Sequence, residues 1–281
     1  MYSFDYITRR IRPMRAYELI KETFLRKGFI RTVHISWLAI YGLLFLIPLP
    51  RGAWQAWPWG LMLFYWSGCT LPLLISAGII GDDIASGRIS LIVTKPLWLG
   101  ELYIYRFAGL SLQALVHLVI AGSMIFVLRT IVAGNAEDLD RWIAEFKNMG
   151  MIQNRSNIEH FGLWILSTWL IFNCWAALST TLSTIVKRAQ NSIVLFASTG
   201  FVYFFVVITM QLFPKHIITK TTTAFIRYAC PPVELLFNLA NGKFSLMRSF
   251  SCVMHSVLLI AIYGIIGIIV LSTRQFECAR D

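Results

Sequence analysis

Asp82 and Asp83 are adjacent carboxylates in the stretch IIGDDIASGRISLIVTKPL, residues 79–97, and Ser86, Gly87, Arg88, Lys95 and Pro96 follow them. Paired carboxylates can hold a cation, exchange protons or form ion pairs, and a basic neighbour favours the last of these. Other residue types that carry chemistry are dispersed. The histidines, His34, His117, His160, His216 and His255, share no metal-ligand spacing with one another or with the cysteines. Neither HExxH nor CxxC occurs, and Gly242-Lys243 is followed by Phe244 without the upstream glycine of a phosphate-cradling loop. The expectation is therefore a chain with no catalytic residues, no metal and no cofactor of its own, which does not hydrolyse ATP.

The elements that must position these residues follow from composition. Hydrophobic residues make up 57% of the 281 and charged residues 14%, against about 25% charged in an ordinary soluble domain. That balance predicts an all-α integral membrane protein. Crossing a hydrocarbon core takes about 20 apolar residues, and six runs qualify: Val33 to Leu49, Trp57 to Ile80, Phe107 to Leu128, Phe161 to Val186, Ser192 to Phe213 and Ser251 to Ser272. So drawn, the spans contain no Asp, Glu, Lys or Arg, which disfavours an ion-coupled pump. His117 and His255 read as histidines packed between helices.

Lys and Arg near the span ends set orientation. Arg9, Arg10, Arg12, Arg15, Lys21, Arg26, Lys27 and Arg31 precede the first run against Asp5, Glu18 and Glu22, which predicts a cytoplasmic N-terminus. An even number of spans then returns the C-terminus to the same side, in the cytoplasmic or inner membrane. The net charge of +11 reads as topology and contact with anionic lipids, not nucleic-acid binding. No cleavable signal peptide is expected, because the first apolar run lacks a small-residue cleavage site.

Residues 1–32 form a lead-in segment, 33–272 the six-helix membrane region and 273–281 a cytoplasmic tail. Within the lead-in, Met14 to Phe29 places Met14, Tyr17, Ile20 and Phe24 on one helical face and Arg15, Glu18, Lys21 and Glu22 on the other. That pattern predicts an amphipathic helix lying along the inner interface. Trp54, Trp57 and Trp59, between the first two spans, belong to an outer aromatic belt. Asn135 to Glu159 and Pro214 to Arg248 are placed outside. The second of these holds an apolar segment, Thr223 to Phe244, broken at Pro231-Pro232, which predicts two half-helices buried against protein.

With this topology Gly81 to Arg106 is a cytoplasmic loop. Asp82 and Asp83 can open a short helix at its positive dipole end, Ile84, Ile89 and Ile92 can form an apolar edge, and Pro96 can stop it. Asp82, Asp83, Ser86, Arg88 and Lys95 then face water or a partner protein. A docking surface and a solvated connector both fit. Inside the spans, Tyr65, Trp66, Trp169, Phe172, Trp175 and Tyr203 are candidates for lining a pathway, with core packing or lipid contact as the alternative.

These residues resemble the permease subunits of ATP-binding cassette (ABC-2 type) transporters. That family carries an acidic residue after its second span, then three residues and a glycine. An apolar segment ending in a basic or polar residue and proline follows, and a basic residue starts the third span. Asp83, Gly87, Lys95-Pro96 and Arg106 fall in those places. The chain differs in having Asp83, Gly87-Arg88-Ile89 and Gly100-Glu101 where members often have Glu, Gly-Thr-Leu and an Arg after the proline.

The resemblance implies a single ABC-2 type transmembrane domain over residues 1–281. It also implies a coupling helix over Asp82 to Val93, seated on a separate ATPase subunit that holds ATP and Mg, and a second copy of the chain or a related permease. Export is the implied direction. On this reading Asp83→Lys reverses a charge at the contact and leaves membrane abundance unchanged. The competing class is a non-transporting scaffold or assembly subunit of a larger membrane complex.

Overall fold

The computed structural model describes residues 17–23, 29–43, 53–76, 79–85, 99–133, 157–186, 197, 231–240 and 245–273. Of these, 96% are helical and none lies in a strand. In chain order the helices are α1 (residues 17–23), α2 (Phe29–Leu43), α3 (Ala53–Ile75), α4 (Ile79–Ala85), α5 (Leu99–Ala133), α6 (Asn157–Ile185), α7 (Val233–Ala240) and α8 (Leu246–Thr273).

Three segments are long and apolar enough to cross a membrane: Leu99–Leu128 of α5, Phe161–Ile185 of α6 and Leu246–Thr273 of α8. Thr32–Leu43 of α2 is apolar but shorter. The expected fifth span, Ser192 to Phe213, and the helix expected after Asn135 lie outside the described residues, and so do residues 44–49 of the first span.

α6 is the hub. It packs against α3, α4, α5, α7 and α8, and 61% of its most apolar window is buried, against 39% for α5 and 17% for α8. Its composition explains the position, because Ala176, Ala177, Ser179, Thr180 and Ser183 are all buried and their small side chains let neighbouring helices approach closely. Tyr103 of α5 bonds through its hydroxyl to the Ala177 carbonyl at 3.3 Å and pairs with Thr181 Oγ1 at 3.1 Å. Thr181 in turn donates to the Tyr263 carbonyl of α8 at 2.7 Å. Above this knot α8 must present Gly267, where a Cβ would stand 2.6 Å from Tyr103 Cε2. Trp169 Nε1 donates to the Ser111 carbonyl at 3.1 Å, and Tyr41 donates to the Leu63 carbonyl at 3.1 Å, which ties α6 to α5 and α2 to α3.

Several boundaries differ from the sequence expectation. The second apolar run breaks at Ser76, whose backbone N–H and hydroxyl both turn back to the Pro72 carbonyl at 3.1 Å and 2.5 Å. α4 then opens at Ile79 rather than at Asp82, because Ile79 and Ile80 are drawn into the core with Leu102, Tyr103 and Phe172. The two aspartates consequently sit in its second turn, not at the positive end of its dipole. α5 opens at Leu99, ahead of the expected Phe107, and takes Glu101 and Arg106 into the helix.

Directly after Pro231-Pro232, α7 begins with Val233 N–H to Pro231 O at 2.9 Å and Leu236 N–H to Pro232 O at 3.0 Å. Leu236 and Leu239 bury against Leu170, Ile171, Trp175 and Cys252. This is the second of the two half-helices expected around the prolines. The first lies outside the described residues.

Candidate functional site

Asp83 and Arg106 stand at the two ends of the segment that carries the acidic and basic residues. Both are buried, at 1% and 2% exposure. Arg106 Nε donates to Asp83 Oδ2 at 3.0 Å, and a terminal guanidinium nitrogen lies 3.0 Å from the same oxygen. The other terminal nitrogen donates to Thr23 Oγ1 at 3.0 Å and lies 3.5 Å from Glu22 Oε2. Thr23 is fully buried, and its hydroxyl donates to the Leu19 carbonyl at 2.9 Å. One guanidinium therefore joins three segments: the N-terminal helix, the short helix after α3 and the start of α5.

Local sequence accounts for each arm. Ile80 and Ile84 press α4 inward, so Asp83 between them faces α5. Arg106 follows Leu102 and Tyr103 by one helical turn and inherits their buried face. Gly109, three residues further, lets α1 come close, because a Cβ there would stand 2.6 Å from Thr23 Cβ and 3.0 Å from the Ile20 carbonyl. A charge pair this deep is retained only when its hydrogen bonds are made, and removing one member costs about 3–5 kcal/mol.

This geometry corrects the expectation that Asp83 faces water or a partner. Its carboxylate is covered by this chain's own helices and bound to Arg106. Asp82 also lies on α4, with its side chain outside the described set, and Ser86, Gly87, Arg88, Lys95 and Pro96 lie outside the described residues altogether.

The inward face of α1 also differs from the expected stripe. Leu19 packs on the core and Thr23 is buried, whereas Tyr17 is 65% exposed with Lys21 Nζ 5.8 Å from its ring centroid. The helix is held by its own chain along that face, which the charge of Arg106 and the gap at Gly109 select over the aromatic ring.

The candidate pathway aromatics separate into different surroundings. Tyr65 is buried with Phe64, Leu118 and Trp164, and Trp169 packs on that cluster. Phe172 belongs to the cluster around Leu71 and Leu102, and Trp175 to the one around Leu236. Trp66 is 47% exposed on the outer face of α3, and Tyr203 lies outside the described residues. Among the described residues they do not share one wall.

Thr23 escaped the sequence reading, since nothing in its spacing marks it; the tell-tale was the small residue Gly109 one turn beyond a basic residue. His34 and His117 escaped it too, although their rings lie 4.9 Å apart. Among the described residues no group of three or more His, Cys, Asp and Glu is placed to hold a metal ion. When the chain is compared with known proteins, no family model matches it and no curated protein matches it.

Proposed function

We propose that the chain is the membrane-embedded permease subunit of an ABC-2 type exporter, inserted in the cytoplasmic or inner membrane with both termini in the cytoplasm. It works with a separate ATPase subunit and a second permease copy. The observation that carries this reading is the buried Asp83–Arg106 pair and its third arm to Thr23. It adds to the sequence resemblance, in which Asp83 and Arg106 occupy the acidic and basic positions.

A loop that passes force must have ends that do not slip. Asp83 and Arg106 fasten the ends of residues 83–106 together, and Thr23 and Glu22 fasten α1 to the same guanidinium. Displacing the loop by an ATPase then moves α1, α4 and the start of α5 as one body, and α5 passes the motion to α6 and α8 through Tyr103 and Thr181. Ser86, Gly87, Arg88 and Lys95, beyond the buried pair, supply the docking contacts in this scheme. Asp83 is a positioning residue, not a contact.

The test is purification from mild detergent out of cells that express the neighbouring genes, with co-purifying chains identified by mass spectrometry. A Walker-motif ATPase at one copy per permease is the expected result. Recovery without any nucleotide-binding chain overturns the transporter reading and leaves a scaffold subunit.

A further inference from the structure

His34 on α2 and His117 midway along α5 are far apart in sequence and stacked in space. Their ring centroids are 4.9 Å apart with planes tilted by 46°. They are 9% and 3% exposed. Among the described residues, none of the four ring nitrogens has a hydrogen-bond partner. Gln113, one turn before His117, sits beside His34, and its carbonyl oxygen is buried without a partner as well. Tyr41, with its ring 6.4 Å from His117, does not supply one, because its hydroxyl donates to Leu63. Val33, Ala114 and Leu118 beside the pair belong to the apolar core.

Each neutral imidazole has one N–H and one lone pair, and leaving both unmade in an apolar interior is unfavourable. We propose that His34 and His117 form a binding site for a monovalent soft metal ion, Cu(I), with one nitrogen of each ring as ligand. Metal–imidazole bonds run about 2.0 Å, so two of them span about 4 Å, a distance that rings at this separation bridge with side-chain adjustment alone.

Charge and ligand number choose the ion. Zinc in closed sites takes four ligands, and calcium takes six to eight oxygens. A divalent ion between two neutral rings would also leave its charge uncompensated in a medium of low dielectric constant. Arg106, on the same helix, is eleven residues or about 16 Å away and already bound to Asp83. A closed-shell monovalent ion that accepts two ligands in line fits what is present, and imidazole suits copper. The Gln113 oxygen has a role in the same scheme. It accepts the remaining N–H of His34, which fixes the tautomer and turns the other nitrogen to the metal.

Copper is added as Cu(I) under anaerobic, reducing conditions to the purified full-length chain with all five cysteines replaced by serine, against a chromophoric competitor. One Cu(I) per chain is expected, with affinity lowered at least a hundredfold by His34→Leu or His117→Leu and about tenfold by Gln113→Leu. Leucine replaces an unpartnered polar ring by an apolar side chain, so these variants retain the packing.

X-ray absorption of the Cu(I)-loaded wild-type chain gives a second readout that needs no variant. Two nitrogen donors at about 2.0 Å are expected, against sulfur at about 2.3 Å. Sulfur ligation in the wild type, binding indifferent to both histidines, or no bound Cu(I) in the wild type overturns the proposal.

Discussion

At the scale of single residues, Arg106 is the most heavily committed side chain described. Its guanidinium meets Asp83, Thr23 and Glu22, and it is 2% exposed. Arg106→Ala leaves Asp83 charged and unpaired in the interior, so a loss of about 3–5 kcal/mol is expected, read as a lower thermal midpoint in detergent and reduced membrane abundance. Asp83→Lys is expected to be worse than Asp83→Asn, because it sets two cations against each other where no water reaches. Its abundance should fall, contrary to what a contact residue would show. The double exchange Asp83→Arg with Arg106→Asp restores opposite charges and should recover part of the abundance lost by either single change; no recovery would mean that the geometry of the fork, not charge, dominates.

At the scale of elements, two glycines set how closely helices approach. Gly267→Ala drives a methyl group to within 2.6 Å of the Tyr103 ring, which is held by Ala177 and Thr181. Overpacking of this kind costs about 1–3 kcal/mol, and differential scanning fluorimetry of the solubilised chain measures it. Gly109→Ala meets Thr23 Cβ and the Ile20 backbone, so α1 must lift away. Faster proteolytic cleavage near residues 17–23, with the membrane helices intact, is the expected sign.

The elements were legible in unequal measure. The apolar runs of α6 and α8, and the helix after Pro231-Pro232, could be read from hydropathy and proline placement, since burial in a helix needs only a continuous apolar stretch. The start of α5 was missed because Arg106 looked like a boundary. A charge ends a span only if it is unpaired, and its partner Asp83 lies on another helix, which no local pattern reveals. The inward face of α1 was missed for a related reason. Leu19 and Thr23 outcompete Tyr17 only once Arg106 and Gly109 are in place opposite them.

At the scale of the whole molecule, burial is graded outward from α6 to α8, whose most apolar window is 17% buried. Phe250, Met254, Val257, Leu258, Ile265 and Ile269 are between 46% and 65% exposed, and water is a poor medium for such a face. Ile265→Asp is expected to cost about 2.5–3.5 kcal/mol in insertion, visible as a lower integrated fraction in a glycosylation-reporter assay. An equal change at a loop position such as Gln153 should be silent.

The clasp between Asp83 and Arg106 also bears on how freely the stretch between them can change. With its ends 23 residues apart in sequence and locked side to side, that stretch is a closed ring whatever path it takes. Doubling the length of such a ring costs only about 0.6 kcal/mol of chain entropy, and none of the change is transmitted past the clasp. The ring is thus a cassette that can be lengthened, shortened or recoded for a different partner while the helices beneath it keep their packing.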